Sequence, residues 1–278
     1  MTAVGVIGAG TMGIGIAHSF MTSGIATVLV EPDDGRRTRA QARLGEVLAD
    51  GVRRGRLTPD QQAAASRKLQ LVGAIPELPM GLDLVLEAVP ERAGLKAGVL
   101  RAAEAREPLA LGSNTSSISI SELAAGLDRP EAFLGVHYFN PVWAKRLVEL
   151  IVGAATPPEL VERVRGLLAT TAKEAIVVTD TPGFASSRLG VLLGLEAIRM
   201  LEAGVASAED IDRAMTDGYG HPMGPLRLTD LVGLDVRLDI AAYLEQAYGA
   251  RFTPPGLLRE LVRQGHLGQK TGQGFYTW

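Results

Sequence analysis

At 278 residues, with 46% hydrophobic and 21% charged side chains, the chain is long enough for two modest domains and balanced as a folded globular protein is. A formal net charge of -3, basic residues scattered among nearly equal acids, and only 5% aromatics offer no nucleic-acid surface. The absence of cysteine removes disulfides, thiolate metal sites and a cysteine nucleophile, and no metal site is expected. No run of about 18 apolar residues is free of polar interruption. The apolar opening lacks the positive stretch that precedes a signal peptide, so a cytoplasmic protein without a membrane span is expected.

The stretch from Val4 to Glu31 organises the rest. A β-prone apolar run, Val4 to Ile7, meets Gly8, Gly10 and Gly13 in the spacing G-x-G-x-x-G, and a helical pattern follows with Met12, Ile16, Phe20 and Met21 on one side. The three glycines do different things. Gly8 makes the turn, Gly10 keeps a side chain off a pyrophosphate, and Gly13 lets helix and strand pack closely. The N–H groups of the first helical turn, at Thr11 and Met12, then face the phosphates. A second strand, Ala26 to Val30, ends at Glu31, roughly 20 residues on, where an acid accepts hydrogen bonds from an adenosine ribose. A carboxylate there repels a 2′-phosphate and favours NAD over NADP, although Arg36 and Arg37 lie close in sequence. The alternative is a glycine-rich turn with no ligand.

Asp33 to Arg56 reads as a helix with Leu44, Val47, Leu48 and Val52 at helical spacing and a basic exposed face. That face is either simply solvated or a landing strip for coenzyme phosphates. A short helix is expected to open with Thr58 as N-cap and Pro59 at its first position. Leu69 to Val72 and Leu82 to Ala88 read as further parallel strands, the second leading into Glu87, Glu91 and Lys96. Leu95 to Arg106 reads as a helix and Leu109 to Gly112 as a strand that runs into Ser113-Asn114-Thr115-Ser116-Ser117. These small polar residues fall where open α/β sheets bind ligands, and the same loop can cap a helix near Ser119. Asn114-Thr115-Ser116 is formally a glycosylation sequon, idle in a cytosolic protein.

Phe133 to Val136 reads as a strand ending in His137-Tyr138-Phe139-Asn140-Pro141, and Arg146 to Val152 as another, carrying Glu149. His137 is one of four histidines and could be purely structural. A carboxylate on the neighbouring strand could instead hold one ring proton and raise the basicity of the other nitrogen, as a general base requires. A helix over 158–171 and a last strand from Ala175 to Thr179 follow, ending at Asp180-Thr181-Pro182-Gly183. From Phe184 onward apolar residues recur at three and four, with breaks at Gly204, at the Gly218 to Pro225 turn and at Thr253-Pro254-Pro255-Gly256. The expected fold is therefore an α/β, Rossmann-like, doubly wound and mostly parallel sheet over 1–182, then an all-helical domain over 183–278.

These motifs, in this order, are similar to the 3-hydroxyacyl-CoA dehydrogenase family, of the single-function 3-hydroxybutyryl-CoA dehydrogenase type. The resemblance covers essentially the whole chain: GAGTMGIGIA, LEAVPER, SNTSS, HYFNPV followed by LVEL, DTPGF, HPMGPLRLTDLVGLD and QKTGQGFYTW. It implies NAD as cofactor, an acyl-CoA substrate, a place in fatty acid metabolism and a homodimer formed through the helical domain. Carried across, Gly8, Gly10, Thr11, Met12, Gly13 and Glu31 would hold the dinucleotide. Glu91 and Lys96 would contact its nicotinamide end, and Asn140 would line the nicotinamide and substrate site. Ser116 would hydrogen-bond the substrate's 3-oxygen, also beside the cofactor, and His137 would be the catalytic base with Glu149 as its partner. Arg53 and Arg54 are the candidates for the CoA phosphates. Two departures stand out. The family's G-F-x-x-N-R reads Gly183-Phe184-Ala185-Ser186-Ser187-Arg188, placing Ser187 where an active-site Asn is usual. Trp143-Ala144-Lys145 follows HYFNPV where apolar residues are usual, which opens larger, polar or carboxylated acyl groups or a carrier protein in place of CoA; a second reading keeps the chemistry and changes the substrate to a carrier-bound or free hydroxy acid. A dinucleotide binder without turnover is the remaining alternative, and it would have no use for Ser116, His137 and Glu149 together.

Overall fold

The structure, a computed structural model, describes residues 2–278 and divides into two compact units, one ending at Asp180 and the other spanning Thr181–Trp278. The first unit runs β1 (Ala3–Ile7), α1 (Thr11–Thr22), β2 (Ala26–Val30), α2 (Asp34–Arg53), α3 (Pro59–Ser66), β3 (Leu69–Val72), β4 (Leu84–Glu87), α4 (Ala93–Glu104), β5 (Leu111–Ser113) and α5 (Ile120–Ala124). It continues with β6 (Phe133–Tyr138), β7 (Leu147–Val152), α6 (Pro158–Ala169) and β8 (Glu174–Thr179). Among the described residues eight strands form one sheet in the order β3-β2-β1-β4-β5-β6-β7-β8. Every neighbouring pair is parallel except β6 with β7. The chain reverses its direction of winding between β1 and β4, so the carboxyl ends of those strands flank the crevice in which doubly wound sheets take their ligands.

The central strands are buried on both faces, which is why they read as near-continuous apolar runs: Val4, Val6, Leu84, Leu86 and Val136 are all fully buried. Strand β5 begins at Leu111, two residues later than its sequence suggests, although the Leu109 N–H and Ala110 carbonyl already bond to the β4 side. Gly8 adopts φ 101°, and a Cβ on Gly13 would stand 1.8 Å from the Gly8 carbonyl oxygen, so helix α1 can sit this close to the turn only without a side chain there. Helix α2 buries Ala40, Leu44 and Leu48 and turns its arginines outward, with Asp33 capping its start. Helix α3 opens with the Thr58 and Gln61 capping box and Pro59 in its first turn.

The second unit contains α7 (Ser186–Glu202), α8 (Ala208–Tyr219), α9 (Pro225–Val232), α10 (Leu234–Tyr248) and α11 (Gly256–Arg263) around a core that includes Val191, Leu195, Ile198, Leu226, Leu244 and Phe252. The break between α9 and α10, at Gly233 with φ 102°, escapes the periodicity because apolar residues continue at helical spacing across it. The final residues fold back on this core. Fully buried Asp230 accepts from the backbone N–H groups of Phe275 and Tyr276, each at 2.9 Å, and from the Trp278 indole at 2.8 Å. Asp212 accepts from Leu226 and Arg227 at the start of α9 and from the Tyr276 hydroxyl. Among the described residues no helix is long and apolar enough to cross a membrane.

Two of the three glycines of the opening turn separate packing from ligand space. A Cβ on Gly10 would meet nothing within 4 Å, whereas one on Gly13 collides with backbone. Gly13→Ala is expected to lower unfolding stability by about 3 kcal/mol, and Gly10→Ala to change it by less than about 1 kcal/mol, both measured by urea denaturation.

Candidate active site

The densest chemistry of the first unit stands on its one antiparallel pair. In that register His137 lies directly opposite Glu149, so both side chains leave the same face of the sheet. His137 Nδ1 is 2.7 Å from Glu149 Oε2; the histidine is 7% exposed and the carboxylate fully buried. The Phe139 ring packs against the imidazole with centroids 4.6 Å apart. Tyr138, the next residue, points to the opposite face, where its hydroxyl is buried without a hydrogen-bond partner among the described residues. Burial pushes that phenol well above its ordinary range.

The polar loop after β5 is held from below. Fully buried Glu87, the last residue of β4, accepts from Lys96 Nζ at 2.8 Å, from Ser113 Oγ at 2.7 Å and from the Val89 N–H at 2.6 Å. Lys96 Nζ also donates to the Val89 carbonyl and stands 3.2 Å from a Glu91 oxygen. The other Glu91 oxygen collects the Thr115 hydroxyl at 2.5 Å and the Ser116 and Ser117 N–H groups at 3.0 and 3.2 Å. Burial works against ionising Glu91, but the Lys96 charge and these hydrogen bonds together outweigh it and hold its carboxyl below the usual range. Asn114 Oδ1 accepts from the Tyr138 N–H at 2.9 Å and so ties the serine loop to the strand end that carries His137. Sequence alone shows Asn114 as one more small polar residue of the loop; its link to β6 appears only once β5 and β6 are paired.

At the other side of the crevice, Gly10 precedes α1 in extended conformation, and no side chain caps the first turn of that helix, nor does an acid stand in it. The Glu31 carboxylate accepts from the N–H groups of Ala9 and Asp33, each at 3.2 Å, so the acid at the end of β2 is fastened to the glycine turn. Uncapped N–H groups, open space above Gly10 and a fixed carboxylate beside them suit a dinucleotide. The unit thus brings together Gly8, Gly10, Thr11, Met12, Gly13 and Glu31 at one strand end. It brings Glu91, Lys96 and Ser116 together at the next, and His137 with Glu149 beyond them. Asn140 is exposed just past β6. Ser187 lies in the first turn of α7, in the second unit. Arg53 and Arg54, at the end of α2, both pair with Asp50.

Beside α1 and α2 lie two adjoining clefts. One, of about 360 Å³, begins at Gly10 and Thr11 and is flanked by Arg36 and Arg39. The other, of about 570 Å³, lies by His18 and Thr22 and is flanked by Arg53, Arg54 and Arg56.

The family model for the 3-hydroxyacyl-CoA dehydrogenase NAD binding domain matches residues 3–181, and that for the C-terminal domain matches residues 183–278. The chain belongs to the 3-hydroxyacyl-CoA dehydrogenase family. A 3-hydroxybutyryl-CoA dehydrogenase of Mycobacterium tuberculosis is 38% identical over 280 residues, covering 99% of this chain and 98% of that one. A 3-hydroxyadipyl-CoA dehydrogenase of Escherichia coli is 40% identical over 279 residues, covering 99% of this chain and 58% of that one. The crystal structure of (S)-3-hydroxybutyryl-CoA dehydrogenase from Ralstonia eutropha superposes with a TM-score of 0.95 at 36% identity, covering all of this chain and 99% of the other. The protein is thus an NAD-dependent oxidoreductase of this family, and the sequence-based expectations of cofactor and fold class hold.

Glu87 and Lys96 form an ion pair sealed from solvent, and removing Glu87 leaves the buried Lys96 charge with only the longer 3.2 Å ion pair to Glu91. Glu87→Ala should cost about 3–5 kcal/mol in urea denaturation, and the double variant Glu87→Leu with Lys96→Met should recover most of that loss.

Proposed function

We propose that this dehydrogenase interconverts L-3-hydroxyacyl-CoA and 3-oxoacyl-CoA, with NAD as the redox partner and His137 as general base. The observation that carries the reading is the buried His137 and Glu149 pair at 2.7 Å, in the same unit as a glycine turn suited to a dinucleotide. A carboxylate can only accept, so Glu149 fixes the proton on Nδ1 and makes Nε2 the basic nitrogen. In oxidation Nε2 takes the proton of the 3-hydroxyl while the C3–H bond breaks; in reduction the imidazolium returns that proton to the 3-oxygen. Glu149 stabilises the imidazolium in both directions. Ser116, held through its N–H by Glu91, offers its hydroxyl to the 3-oxygen. Bound at the glycine turn, NAD supplies the acceptor or donor for the hydride exchanged at C3.

The remaining residues position and exclude. Glu31 takes the adenosine ribose, and Gly8, Gly10, Thr11, Met12 and Gly13 take the pyrophosphate. Glu91 meets the nicotinamide end with Lys96 buried beneath it, and Asn140 lines the same place. Arg53 and Arg54, exposed and paired with Asp50 at the surface, exchange that partner for CoA phosphates in the larger cleft. Residues 1–182 act as the NAD-binding domain and 183–278 as the substrate and dimerisation domain. Leu189, Leu192, Leu228, Leu231 and Val236 leave apolar surface exposed on α7, α9 and α10, which supports a homodimer built on the helical domain. The reading places the enzyme in the cytoplasm, in fatty acid metabolism.

Loss of absorbance at the reduced-nicotinamide band on mixing the protein, NADH and acetoacetyl-CoA tests the reaction. No change at any pH would make the protein a binder only. Rates on the same acyl group carried by CoA, by a carrier protein or as free acid, and on the 3-oxo form of adipyl-CoA, assign the substrate. His137→Ala should lower kcat by roughly 100- to 10,000-fold while the dissociation constant for NADH, from its fluorescence, stays within about twofold. Ser187→Asn should retain kcat within about threefold if the pocket is the family's own, and a loss of 100-fold or more would show a site rebuilt around serine.

A further inference from the structure

The two clefts beside α1 and α2 share two lining residues, Arg43 and Trp143. They follow α1 in sequence: Gly10, Thr11 and Ile14 line the smaller, His18 and Thr22 the larger. At 1.5 Å per residue, Thr11 and Thr22 are about 16 Å apart, so the two sites sit end to end with Trp143 between them. The tryptophan is a fixed wall. Its turn directly continues the strand that carries His137. Val142 presses so closely on α1 that a Cβ on Gly15 would come within 2.8 Å of it. Lys173, itself buried, donates to the Val142 and Lys145 carbonyls at 2.5 and 2.7 Å and grips the turn on either side of the indole. The His18 ring meets the indole edge-on with centroids 6.1 Å apart. Burial, aided by the Lys173 charge, lowers His18 to about 4, so this neighbour is uncharged at neutral pH. Arg43 is the exposed half: its side chain is 56% exposed and pairs with Glu46 at 2.9 Å.

We propose that Trp143 and Arg43 form a partition shared by the dinucleotide and the acyl-CoA, through which each ligand raises the affinity for the other. The inference rests on the acyl-CoA reading given above. Two polyanions placed end to end repel, and a guanidinium between them offsets both. The first to bind must draw Arg43 from Glu46 and order its long side chain against the indole; the second finds it already ordered. By linkage the effect is reciprocal. Trp143 is the rigid surface against which that ordering happens, so the coupling is lost without it even though Arg43 remains.

Calorimetric titration of NAD⁺ and acetoacetyl-CoA, a pair that cannot react with each other, reads the coupling without turnover. In the unmodified protein, saturating NAD⁺ should tighten acetoacetyl-CoA binding by about five- to tenfold. In Trp143→Ala that ratio should fall to about one, and in Trp143→Phe, which restores a flat apolar wall, most of it should return; Arg43→Gln should also lower it. A ratio unchanged in Trp143→Ala, or a ratio of one in the unmodified protein, overturns the proposal. Binding of NAD⁺ without any binding of acetoacetyl-CoA overturns the acyl-CoA reading and the partition with it.

Discussion

The site depends on β7 running against its neighbour β6 in a sheet that is otherwise parallel. Directly opposed residues of an antiparallel pair share a face at short range, and this register sets His137 on Glu149. A shift of one residue in β7 would send the carboxylate to the far side of the sheet. It would then leave a fully buried charge with no imidazole to meet it. Backbone pairing therefore brings the two side chains within reach of the 2.7 Å contact they make.

The same economy of support runs through the serine loop. A buried lysine and glutamate under a parallel sheet are a poor choice for stability alone, since a well-packed apolar pair of equal volume is often as good or better. Here the pair sits directly beneath Glu91, and Glu91 gathers the Thr115, Ser116 and Ser117 donors in turn. The charge on Lys96 keeps Glu91 ionised against its own burial, and an ionised carboxylate is the stronger acceptor for a backbone turn. Polar atoms are placed inside the protein so that a loop near its surface keeps one shape.

Much of this is legible in residue order. The glycine spacing with an acid after the second strand marks a dinucleotide turn, because only a glycine at Gly13 lets α1 approach the Gly8 carbonyl. Thr58 with Pro59 marks a helix start for equally local reasons. His137 and Glu149, twelve residues apart, suggest a pair, but their contact rests on strand direction, which no local pattern encodes. The Gly233 break stays hidden because helical periodicity does not register a single positive φ. Asn114 and the clefts beside α1 and α2 depend on which elements become neighbours, so they lie beyond local pattern. The tryptophan at 143 shows in the sequence only as an oddity; its place beside two clefts comes from Lys173, about thirty residues downstream.

The seal around Asp230 bears on the order in which the two halves of the chain can mature. Its three donors all come from the stretch Phe275 to Trp278, and its carboxylate has no exposure to water. Until those residues are in place, closing the helical core over Asp230 would bury a carboxylate without the donors that satisfy it, a cost that ties the packing of this unit to its last turn. The unit that ends at Asp180 carries all eight described strands and does not draw on those residues.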